Sequence, residues 1–512
     1  MRTRRYGLRI PLGVLLGVVM LHPVGAVQVQ RPVIELPEAD SPFVEFNLWL
    51  KSGSSSDPKG KEGIASLTAS LVADGATQQD RYETILEKLY PFAASYGAQV
   101  DKDMTVFTGR VHRDNLEAFY ALLRDAILSP AFSDEDFNRI RAQRQNALER
   151  GRRYSRDEEL SKDLLFWQAY DGTPYQHPED GYVSSIRSIT LADVKAFYRS
   201  HYLRSEIVVG VAGSYPQGFA SRVRRDMDML PAGAAPVVAS PAPHVPSAVK
   251  VLIVEKATDA SAVSLGYPIA LLRNGPDFVP LLVANSYLGE HRNPVGRLYQ
   301  AIRETRGMNY GNYSYIEAFP GGFATQQPRV NLARRSQLFE IWIRPVSLTA
   351  PGNLHDRTLF AVRAALFELH TLVKNGMTAQ QVDESKAFLR NYVRTWGTTL
   401  GRRLAYAIDD AFYGIEPGGF LTSVAATIDR VTPGQVNTAI RRHLRDDRFH
   451  LVVITSDAAA FKRKLVSAQP TPITYAGERS AQVIEEDEII ARWPITVRDE
   501  DVTIMEIDRV LE

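Results

Sequence analysis

Cysteine is absent from all 512 residues. Disulfides, thiolate metal sites, a lipid-anchored cysteine and a cysteine nucleophile are therefore excluded together. An excess of charge of either sign is missing as well: 60 Lys and Arg stand against 59 Asp and Glu. That balance gives no electrostatic case for a nucleic-acid partner or a membrane surface. Long apolar runs are also lacking. The stretch Leu12 to Leu21 falls short of the ~20 residues a membrane span needs, and no later stretch qualifies. What remains is the composition of a soluble globular protein, 45% hydrophobic and 23% charged. At about 150 residues per domain, such a length implies two to four domains.

The N-terminus has a pattern of its own. Arg2, Arg4 and Arg5 precede the short apolar run, and Val24-Gly25-Ala26 supplies small residues at the offsets for cleavage. Residues 1–26 read as a secretory signal peptide, with the mature chain starting near Val27. An uncleaved anchor is the alternative, disfavoured by the shortness of the run. An exported chain without disulfides is expected in a bacterial periplasm.

Residues 231–248 are dense in Pro, Ala and Ser and lack periodicity, which marks a linker. The flanking segments, 27–230 and 249–478, echo each other. SIRSITLADVKAFYRSHYLRSEIVVGVAG (Ser185 to Gly213) matches TIDRVTPGQVNTAIRRHLRDDRFHLVVITSD (Thr427 to Asp457) in pattern. Each is a Thr N-cap, an amphipathic helix and then an apolar strand. Capped helices after Ser133 and Thr378 correspond too, each following another helix, Asp114 to Leu128 and Asp356 to Asn375. Strands are expected over Phe43 to Lys51, Val249 to Glu255 and Phe339 to Pro345. Without regular βαβ alternation, the fold class is α+β: two homologous halves, each a mainly antiparallel sheet covered by helices. Fused repeats create a cleft between like domains, a common place for ligands. Residues 479–512, with the acidic patch Glu485 to Glu488, form an appended tail suited to docking on a neighbour.

From Trp49 the chain reads WLKSGSSSDPKGKEGIASLTASLVADGAT. The frame W-x-x-x-G-x-x-x-D-P-x-x-x-x-G-I-A resembles the pitrilysin, insulinase and mitochondrial processing peptidase family, in which an H-x-x-E-H pentapeptide comes next. Ser66, Leu67, Thr68, Ala69 and Ser70 stand in its place. In the family's inverted zincin arrangement two His, i and i+4 on one helical face, hold zinc, and the Glu activates a water. The third ligand is a Glu on a later helix. The resemblance implies Glu149 as its counterpart, whereas strict spacing puts Ala147 there. On residues alone, Glu149 reads as a solvated helix Glu pairing with Arg150 or Arg153. Neutral hydroxyls are poor zinc ligands, and His112, His177 and His201 lack ligand spacing. No metal is expected in this chain. Ser66 and Ser70 lack a G-x-S-x-G elbow, and hydroxyls on a small-residue helix mostly pack or bond back to the backbone.

A second motif survives, Gly296 to Tyr310, reading GRLYQAIRETRGMNY. Helical spacing places Leu298 and Ile302 on one face, Gly307 is a natural C-cap, and a Tyr-rich strand comes after it. This is similar to the family's C-terminal signature, in which an Arg near a helix end and a Tyr seven residues later face the active cleft. By that resemblance the pair is Arg303 and Tyr310, with Arg306 ranked second. Tyr offers a hydroxyl donor and Arg a permanent positive fork to a developing oxyanion. The bland alternative pairs Arg303 with Glu304 and packs Tyr310 on the sheet. Gly321-Gly322 marks a turn.

The resemblance covers roughly residues 30–478. It implies a subunit inactive alone, in a heterodimer whose homologous partner carries H-x-x-E-H and its zinc. Such a chain would bind peptide along a strand edge and contribute Arg303 and Tyr310. The alternative is an inactive structural or peptide-binding scaffold.

Overall fold

The computed structural model describes residues 33–322, 324–347 and 352–512. The expected signal peptide lies outside them. The first sheet contains β1 (Val33–Pro37), β2 (Phe43–Leu50), β3 (Ser95–Val100), β4 (Thr105–His112) and β5 (Ile207–Gly213). The second contains β6 (Lys250–Glu255), β7 (Ala260–Ile269), β8 (Asn312–Tyr315), β9 (Gln337–Ser347), β10 (His450–Thr455) and β11 (Val502–Glu506).

Spatial order is β1-β5-β2-β4-β3 in one sheet and β11-β6-β10-β7-β9-β8 in the other. Without β11 the two orders are the same permutation, so the repeated pattern in the sequence is a repeated topology. Pairing is antiparallel except for β1 with β5, β6 with β10 and β6 with β11. The fold is α+β with a mainly antiparallel sheet in each half. Residues 231–249 carry no helix or strand.

Capping residues set the helix starts. Thr190 and Thr432 accept from the amides three residues on, at 3.2 and 3.3 Å, and open helices Leu191–His201 and Pro433–His443. Ser133 and Thr378 do the same for Asp134–Asn146 and Ala379–Tyr392. Each cap satisfies an amide that the helix itself leaves open.

One face of each sheet is covered by helices of its own half. Leu116–Leu128 lies over the first sheet and Leu354–Asn375 over the second. The opposite faces are covered by exchange. Helix Asp157–Ala169, from the first half, packs Leu160, Leu164 and Leu165 against Leu252, Val254 and Val452. Helix Leu400–Tyr413, from the second half, packs Leu404, Ala407 and Ile408 against Trp49 and Val208. Gly210 permits that approach, since a Cβ there would lie 3.1 Å from the Leu404 side chain. Each half thus completes the other's core.

The segment after residue 478 does not wait for a neighbour. It packs on its own chain as helix Ala481–Ala491 and β11, and Ile490, Ile495 and Val502 enter the second-half core. The acidic patch finds a basic partner, Arg306, within reach, and the Ile/Val-rich end adds a strand to an open sheet edge.

Candidate functional site

Helix Ile64–Ala73 carries the altered pentapeptide, and Asp57 determines how it begins. The Asp57 carboxylate accepts from the Gly63 amide at 2.6 Å and the Ala65 amide at 3.0 Å. That is the physical use of an Asp at this offset before Gly-Ile-Ala: it caps a buried helix start. Gly63 (φ +93°) and Gly181 (φ +78°) cross so closely that a Cβ on Gly181 would lie 2.1 Å from the Glu62 carbonyl. The crossing delivers Asp180 to the helix.

Asp180 is the acid that meets Ser66 directly and Ser70 through Arg144. Ser66 Oγ donates to Asp180 Oδ1 at 3.2 Å. Arg144, from helix Asp134–Asn146, pairs with the same carboxylate and donates through Nη2 to Ser70 Oγ at 2.8 Å. Ala69 is buried and offers no polar atom. The face that would have to hold zinc therefore contains a guanidinium already paired with a carboxylate, two hydroxyls and a methyl. A dication does not fit beside a fixed cation with so few ligands. Among the described residues no group of three or more His, Asp or Glu could hold a metal.

The third-ligand candidates lie elsewhere. Ala147 is exposed, and Glu149 bonds Arg187 Nη2 at 2.5 Å, rather than Arg150 or Arg153. Both belong to a π-helical turn, Ala147–Arg152. Its wider winding changes which face each side chain presents. Arg144 and Asp180 went unforeseen because a charged helix residue and a turn acid read as solvated surface.

The downstream motif is presented differently. Arg303 lies on the π-helical turn Tyr299–Glu304, its guanidinium 4.7 Å from the Tyr299 ring and 3.7 Å from Glu304. Gly307 (φ +62°) ends the turn, its amide donating to the Arg303 carbonyl at 2.7 Å. Of the bland alternative, the Arg303–Glu304 pairing is present, but Tyr310 is 76% exposed and does not pack on the sheet. Tyr313 and Tyr315, on β8, do, joining Tyr299, Phe319 and Trp342 in one aromatic cluster. Arg306 is spent internally: it is buried, donating to Asp487 at 2.7 Å and Glu486 at 2.6 Å. Gly321 (φ +69°) turns the chain, its amide donating to Glu159 at 2.8 Å.

Between the halves lies a cavity of about 320 Å³ lined by charged residues from both. Arg334 reaches across to Asp101 at 2.6 Å, Lys102 pairs with Glu179 at 3.1 Å, and Lys162 with Glu159 at 3.2 Å. Burial pushes Asp163 up to about 6 despite Arg152, and Glu340 up to about 7 despite Lys162. Burial holds His177 and His291 down at about 4.

A duplicated α+β chain with a closed metal face and an exposed Arg/Tyr turn is the form of a zinc-peptidase relative that lacks its own metal site. Family comparison agrees: insulinase (peptidase family M16) matches residues 33–178, and the peptidase M16 inactive domain matches residues 188–389. The chain belongs to the M16, insulinase-like family, and its residues 188–389 match the domain that family describes as inactive. It is 25% identical over 281 residues to an uncharacterized zinc protease of Streptomyces coelicolor, spanning 54% of this chain and 60% of that protein. It is 22% identical to the uncharacterized zinc protease YmxG of Bacillus subtilis, over 54% of this chain and 65% of the relative. Both matches thus span less than two thirds of those relatives' length. The non-peptidase homolog YmxG of Helicobacter pylori aligns at 21% identity over 84% of this chain and 93% of its own. Among solved structures, the peptidase M16 inactive domain from Pseudomonas fluorescens superposes with a TM-score of 0.71 at 22% identity. That superposition covers 83% of this chain and 97% of the other.

Proposed function

We propose that this chain is the non-metal-binding subunit of a two-chain periplasmic peptidase, pairing with a homologous chain that bears H-x-x-E-H and its zinc. The observation that carries the reading is the contrast between two places. Ser66, Ser70, Arg144 and Asp180 satisfy one another, so the metal face is closed. The Tyr310 side chain is exposed, and Arg303 lies beside Glu304 and the Tyr299 ring. In a complex, the Tyr310 hydroxyl would donate a hydrogen bond to the carbonyl oxygen under attack. Arg303 would place a fixed positive charge beside the same oxygen. Both interactions grow as charge develops and so lower the barrier more than they tighten substrate.

The test is reconstitution with an H-x-x-E-H partner and kinetic comparison of Tyr310→Phe. The expected outcome is a fall in kcat of about a hundredfold, the loss typical of one oxyanion donor, with KM changed far less. A full-rate Tyr310→Phe complex would leave the scaffold reading in its place.

A further inference from the structure

Residues 480–512 lie beyond residue 389, where the family match ends, and touch two distant parts of the molecule. One end grips the Arg/Tyr turn. Glu486 and Asp487 hold the buried Arg306 guanidinium, whose Nη1 also donates to the Ala301 carbonyl at 2.7 Å. Tyr475 adds a hydroxyl bond to Asp487 at 2.6 Å. Arg306 is thus tied to the turn that carries Arg303 and, through Gly307, Tyr310.

The segment then crosses the second half. Trp493 packs edge-on against Phe367 and His370, with ring centres 5.0 and 4.9 Å apart. β11 extends the sheet beside β6. Beyond β11 the chain leaves that sheet and lands on the first half. Val510 and Leu511 are buried with Val183 and Ile186. The Val183 and Ser184 amides donate to the Leu511 and Glu512 carbonyls at 2.8 and 3.1 Å. Arg153 donates to the Val510 carbonyl and the Glu512 side chain, both at 2.6 Å. Arg187 lies between Glu512, at 3.5 Å, and Glu149, at 2.5 Å. The far end of the segment therefore shares Arg187 with Glu149, which the resemblance sets against the family's third metal ligand.

We propose that residues 480–512 act as an internal strap, fixing the Arg303–Tyr310 turn at one end and clamping the first half to the second at the other. A buried guanidinium between two carboxylates has an over-determined position, and main-chain bonds plus two buried side chains hold the opposite end. The strap keeps the emptied metal face and the exposed turn in one set relation without a ligand or a partner. The proposal does not depend on the two-chain reading, because its test uses this chain alone.

Hydrogen exchange on the full-length protein decides it. In a Glu486→Gln/Asp487→Asn variant, amides of residues 300–315 should exchange at least tenfold faster, while those of β2 and β4 keep their rates. In a Val510→Ala/Leu511→Ala variant, the Val183 and Ser184 amides should accelerate likewise, leaving 300–315 protected. The two variants are read separately, so poor folding of one leaves the other decisive. Wild-type rates at those amides, in a variant whose β2 and β4 amides stay protected, would overturn the strap.

Discussion

Arg144 occupies, electrostatically, the place a metal ion would need. Its guanidinium is held by Asp180 and Ser70, so restoring the pentapeptide does not restore the site. Zinc content of a purified Ser66→His/Ala69→Glu/Ser70→His variant should stay near zero by elemental analysis. It should rise only when Arg144→Ala is added, because the fixed cation opposes a dication at close range. Stoichiometric zinc with Arg144 in place would refute this. Glu340 makes a second residue-scale prediction. Burial raises its folded pKa to about 7, above its unfolded value. Its contribution to stability is therefore present at low pH and lost as pH rises through about 7. His177 and His291, pushed down to about 4, act with the opposite sign between roughly pH 4 and 6.5. Comparing the wild type with Glu340→Gln removes that background. The variant should gain thermal stability relative to wild type between pH 5 and 8, by at most about 3 kcal/mol. Parallel melting profiles would count against it. Ser66, Ala69 and Ser70 could be read from their frame. Arg144 and Asp180 could not, since neither has a local pattern that distinguishes a buried partner from a solvated charge.

The elements were more legible than the contacts between them. The starts marked by Ser133, Thr190, Thr378 and Thr432 are helix starts because capping is a bond within three residues. Asp57 works over a longer reach, and its two bonds to a buried helix start imply a larger cost when lost. Asp57→Ala should destabilise by about 2 kcal/mol, against about 1 kcal/mol for Thr190→Ala, measured by denaturant titration. Equal losses would show that the Asp57 bonds add nothing beyond an ordinary cap. The two π-helical turns, Ala147–Arg152 and Tyr299–Glu304, had no periodic signature. One extra residue in a turn leaves hydrophobic spacing almost unchanged while rotating the rest of the helix, and Glu149 finds its partner, Arg187, 38 positions away, beyond the reach of local spacing.

For the molecule as a whole, the exchange of covering helices decides how it unfolds. Helix Asp157–Ala169 completes the second sheet's core, and helix Leu400–Tyr413 completes the first's. Neither half has a full core alone, so the described fold should unfold in one transition despite its length. Far-UV dichroism and tryptophan fluorescence should give coincident denaturation curves. Leu404→Ala, truncating a buried residue at the exchanged contact, should shift both curves together by about 2–5 kcal/mol. Two separated transitions would show independent halves.

What the amino-acid order determined alone was local or repeated: caps within a turn, alternating strands, the duplicated pattern, and a pentapeptide without imidazoles. Tertiary structure alone decided that Arg144 and Asp180 close the metal face and that the halves trade helices. It also decided that residues 510–512 land on Arg153, Val183 and Ser184 of the first half. These contacts join residues 36 to more than 300 positions apart, and hydrophobic period and capping chemistry act over only a few. Such pairings exist only once the sheets have set the distances between distant segments.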